Sequence, residues 1–165
     1  VLAAAPCADA WAVPARPRSA VSTGDYGWAL RLMWLFVAEI YLFGAIGKLR
    51  AEGLSWFAAD NIRRNLVQFE HMHPGFGDPL TRLVADSPLL LTLGGAAVLA
   101  LEAGFVACLF SRRARWVLVP AAVVFHLAIL WSMQIVFANV VHLALFVDWG
   151  ALADRLGGAP ALTGA

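Results

Sequence analysis

Four acidic or imidazole side chains stand deep inside apolar runs of this chain: Glu39, Glu102, His126 and His142. A lysine, Lys48, closes one such run in "YLFGAIGKLRAEGLSW", residues 41–56, behind Gly44 and Gly47. A charged group near a bilayer centre costs about 2.5–3.5 kcal/mol on insertion scales, so such residues mark packed or functional sites by default. An amine desolvated beside apolar walls can serve as a general base, with carboxylates and imidazoles as its polar neighbours. Each residue also has a purely structural reading. Lys48 then snorkels to the interface, Glu39 and His126 join two helices by a hydrogen bond, and Glu102 faces protein.

Depth follows from a helical rise of about 1.5 Å per residue. Glu39 lies roughly 13 Å below Lys48, His126 roughly 12 Å from the far end of its run, and His142 roughly 10 Å into its own. These three fall in one layer, with Lys48, Gln134 and Asn139 above it. Glu102, roughly 21 Å into its run, falls deeper. The pattern predicts a polar cleft with Lys48 at its rim and Glu39, His126, His142, Gln134 and Asn139 as binding residues. No metal site is expected, because the H-x-H of His71 and His73 falls short of the three or four ligands that zinc needs.

The elements that must hold these residues are membrane helices. Of 165 residues, 61% are hydrophobic and 14% charged, against about 45–50% and about 25% in soluble domains; mean hydropathy is +0.74. The net charge of +1 leaves no basic field for nucleic acid. Four apolar segments stand out, at about 28–47, 88–110, 115–133 and 135–149. A spanning helix needs about 20 residues, which the first three supply. The fourth is a short span or a half-penetrating helix. The expected fold is therefore an all-α polytopic bundle with three or four spans.

Residues 55–69 repeat Trp56, Ala59, Ile62, Leu66 and Phe69 at three and four, the mark of one helical face. They predict an amphipathic helix in the interface, N-capped by Ser55. "HMHPGFGDP" then reads as a turn. Gly94, Gly95 and Gly104 suit close helix packing. Cys7 and Cys108 form no framework of disulfides. The loop "SRRAR", residues 111–115, carries three arginines and no acid, which assigns it to the cytoplasmic side and Lys48 to the opposite one. "VLAAAPCADAW" at the start suits the tail of a helix in an N-terminally truncated single domain, and residues 156–165 suit a disordered tail.

The stretches "YGWALRLMWLFVAEIYLFGAIGKLRAEGLSW" and "GGAAVLALEAGFVACLFSRRARWVLVPAAVVFHLAILWSM", with a following "DW", resemble the HTTM domain. That domain is shared by bacterial HTTM proteins and the membrane part of vitamin K-dependent gamma-glutamyl carboxylase. The resemblance covers residues 6–149 and rests on order and spacing together. It implies a bacterial inner-membrane location and a quinone or hydroquinone cofactor. It also implies a base at Lys48, where the carboxylase keeps the lysine that deprotonates vitamin K hydroquinone, and a membrane-site histidine at His126. Asp9 stands in the region where the carboxylase has a further histidine. Two classes of function stay open. One is a quinone- or lipid-dependent membrane enzyme, carboxylase-like. The other is a non-catalytic subunit or scaffold with membrane partner chains.

Overall fold

A computed structural model describes residues 23–72, 79–149 and Leu152. The expectations for the chain start, for the Pro74–Gly77 turn and for the tail fall outside these residues. All described elements are helical. They are α1 (Thr23–Glu52), α2 (Ala59–Met72), α3 (Pro79–Ala85), α4 (Pro88–Gly104) and α5 (Arg112–Met133), with 3-10 segments at Gly53–Phe57, Phe105–Leu109 and Ala138–Phe146. Three stretches are long and apolar enough to cross a membrane: Gly27–Phe57, Pro88–Leu109 and Arg112–Met133. The chain is an all-α, multi-pass membrane protein.

The helix ends have local causes. α1 stops where Gly53 takes φ +58, the left-handed conformation that only glycine adopts without penalty. Ser87 and Ser111 cap α4 and α5 by accepting from Leu90 N (3.4 Å) and Ala114 N (3.2 Å). α5 ends in Gln134, left-handed at φ 52, whose N–H donates to Leu130 O at 2.9 Å. The core stacks Tyr41 on Phe105 (ring centroids 4.2 Å) and Phe105 against Phe146 (5.3 Å). Cys108, Ala122 and Leu143 close around them.

Three local expectations change. The predicted interfacial helix begins at Ala59. Ser55 does not cap it but lies in the preceding 3-10 turn, its hydroxyl donating to Glu52 O. α3 was not visible in the sequence, although Pro79 at its first position is a helix-start signal. The 135–149 segment is a 3-10 helix between extended residues rather than an α-helix.

That last choice has a geometric consequence. Nine 3-10 residues reach about 18 Å, against about 14 Å in an α-helix. The segment runs back along α5. Phe137 meets His126 edge-on at 5.4 Å near one end. Asp148 reaches Arg112, the first residue of α5, at 2.8 Å near the other. Close to the Asp148 end, Trp34 Nε1 donates to Leu145 O at 2.7 Å and so ties α1 to the segment.

Candidate functional site

Lys48 donates to both carboxylate oxygens of Glu102, at 2.7 and 2.8 Å. The pair is largely withdrawn from solvent, with side chains 22% and 8% exposed. Side chains on a helix lean towards its N-terminus, over the residue four positions back. For Lys48 that residue is Gly44. A Cβ built on Gly44 would lie 3.3 Å from Glu102 Oε1. The missing side chain is therefore the space that the carboxylate occupies. Lys48 turns into the bundle, not outwards as an interfacial end residue would, and Trp56 stands by with its ring centroid 5.3 Å from the amine.

Further along α1 from Gly44, towards its N-terminus, Tyr41 and His126 form a second polar pair. His126 Nδ1 lies 2.7 Å from Ala122 O and 3.4 Å from the Tyr41 hydroxyl. A carbonyl oxygen can only accept, so the shorter contact requires the hydrogen on Nδ1. Nδ1–H then donates to Ala122 O, and in the neutral imidazole Nε2 is the acceptor. The same assignment frees the Tyr41 O–H from donating to Nδ1.

Both pairs line one cavity of about 710 Å³. Its walls come from α1, α4 and α5, with Ile62, Asn65 and Leu66 of α2 on one side and Phe137 and Asn139 on another. Among the described residues lining it, Lys48 and Glu102 are the only charged ones, and most of the others are apolar. α2 is held in place there by Asn61, whose Nδ2 donates to Trp56 O at 2.9 Å, and by Arg63, whose Nε donates to Ala85 O at 2.9 Å. The indole Nε1 of Trp56 is buried without a partner among the described residues.

The predicted site residues divide. Lys48, His126 and Asn139 line the cavity. Glu39 is exposed on α1 and is not a lining residue, so no Glu39–His126 layer forms. His142 is exposed, with Nδ1 3.3 Å from Asn139 O of its own segment. Gln134 is exposed and serves as the C-cap of α5. Glu102, which sequence depth assigned to a deeper level, is the partner of Lys48. Tyr41 was missed altogether. Its one signal was its spacing, seven residues and two turns before Lys48 on the same face. No group of three or more His, Cys, Asp or Glu able to hold a metal ion occurs among the described residues. Comparison with protein-family models, with curated proteins and with solved structures finds no match to this chain.

Proposed function

We propose that this is an HTTM-like membrane protein whose cavity holds an amphipathic lipid, an isoprenoid quinone or hydroquinone first among candidates. The observation that carries this reading is an apolar cavity of about 710 Å³ with an ion pair, a phenol and an imidazole in its lining. Ligand sites are typically apolar with a few convergent polar groups. On this reading the ligand head rests against Lys48, Tyr41 and His126. Lys48 is the group that exchanges a proton with it, as in carboxylase-like chemistry, and Glu102 holds the amine in position. The arginine loop at 111–115 supports a cytoplasmic start for α5 in a bacterial inner membrane, with the cavity opening on the other side.

A second reading has its own support. Lys48 spends two hydrogens on Glu102, and a pair so closed can act as a clamp between α1 and α4. The protein is then a non-catalytic subunit or scaffold for partner chains. Purification followed by lipid extraction and mass spectrometry of wild type and Lys48→Ala separates the two. A quinone or other isoprenoid retained by wild type and lost from Lys48→Ala supports the ligand site. Its absence from both preparations refutes that reading.

A further inference from the structure

Adjacent glycines in α4 have opposite surroundings. A Cβ on Gly95 would meet Phe57 Cα and Cβ at 3.0 Å and Ile62 Cδ1 at 3.1 Å, so Gly95 is required for packing. A Cβ on Gly94 would meet nothing within 4 Å. Glycine inside a helix is destabilising relative to alanine, and no neighbour explains Gly94. Of the described glycines whose Cβ position is open, Gly94 alone lines the cavity. It is also exposed, as are Leu90 one turn before it and Ala128 and Trp131 of α5, which line the cavity too. These residues lie in stretches apolar enough to cross a membrane, so the cavity opens between α4 and α5 towards acyl chains rather than water.

Charge restricts what can enter. Glu102 neutralises Lys48 at 2.7 Å, and no other charged residue among the described residues lines the space. An anionic head would meet no uncompensated cation and would lie beside a carboxylate, which a low-dielectric site penalises. A neutral head finds a donor in Tyr41 and an acceptor in His126 Nε2.

We propose that the cavity takes a neutral-headed lipid sideways from the bilayer between α4 and α5, its chain lying across the bare backbone at Gly94. This rests on the ligand-site reading above. The test uses the full chain in nanodiscs and a short-chain benzoquinone as probe, read by quenching of the cavity tryptophans Trp56 and Trp131. Farnesol and farnesyl phosphate compete as neutral and anionic chains. Gly94→Phe should weaken probe binding at least about tenfold, a clear change on the affinity scale. Gly47→Phe should bind as wild type does, since Gly47 is exposed, has open space and lies off the cavity.

Farnesol should compete at least about tenfold better than farnesyl phosphate. A second form guards against misfolding. Gly94→Cys in a Cys7→Ser background is purified first and then blocked with a bulky maleimide, with Cys108 protected by burial; binding should fall only after labelling. Unchanged binding in both Gly94→Phe and the labelled protein overturns the side entry while leaving the ligand site standing. Equal competition by the two chains overturns the neutral head. If wild type shows no saturable quenching, the ligand-site reading falls and this proposal falls with it.

Discussion

Replacing Glu102 with Gln keeps the side-chain shape and removes the negative charge that faces Lys48. The two oxygens lie 2.7 and 2.8 Å from the amine, and the carboxylate side chain is only 8% exposed. Leaving a buried charge without its partner costs about 3–5 kcal/mol. Lys48 keeps 22% exposure and the Gln carbonyl can still accept one hydrogen, so the lower end, about 3 kcal/mol, is expected. Lys48→Met strands the carboxylate and should cost a similar amount. The double variant Lys48→Met with Glu102→Gln strands neither charge. It should therefore lose clearly less than the sum of the singles, with a coupling of about 2 kcal/mol, within the range for contacting residues. Equilibrium unfolding by dodecyl sulfate titration in mixed micelles, followed by circular dichroism, measures all four proteins. Additivity within about 0.5 kcal/mol would refute the pair as described, and with it the wall that the pair builds.

Other substitutions test separate parts of the fold by the same titration. Gly95→Ala should destabilise by about 1–3 kcal/mol through overpacking on Phe57, whereas Gly94→Ala should stabilise by about 0.5–1 kcal/mol by removing a helix glycine; equal effects would contradict the contrast between them. Trp34→Phe deletes the 2.7 Å bond to Leu145 O. It should cost about 0.5–1.5 kcal/mol because a half-buried carbonyl loses its donor, and a neutral outcome would detach the 3-10 segment from α1. Arg112→Ala breaks an exposed pair with Asp148 and should cost no more than about 1 kcal/mol; a larger loss would give that end of the bundle an importance that surface pairs rarely have.

The three long spans were legible because twenty apolar residues in a row allow few other fates. The amphipathic period around Ile62 and Leu66 was legible for the same reason, and both residues face the cavity. The polar pairing was not. Counting depth from the start of each run assumes that the runs start level. α4 begins well beyond the level of Lys48, so a carboxylate fourteen residues into it meets an amine near the end of α1. Glu39 shows the reverse error, since it has a suitable depth on the wrong face of its helix. Residues 135–149 were recognised as too short for an ordinary span, but apolar composition does not distinguish 3-10 from α winding. Gly44 stands in the sequence before Lys48 with nothing to say what approaches it, and the structure brings the Glu102 carboxylate there.

The ligand site is tested most directly by extracting lipid from purified wild-type protein and from Lys48→Ala and comparing the isoprenoids by mass spectrometry. A quinone-like or other neutral isoprenoid should be retained by wild type and depleted from the variant. If neither preparation carries one, the cavity between α1, α4 and α5 does not serve as a lipid site, and the Lys48–Glu102 pair is a clamp between helices.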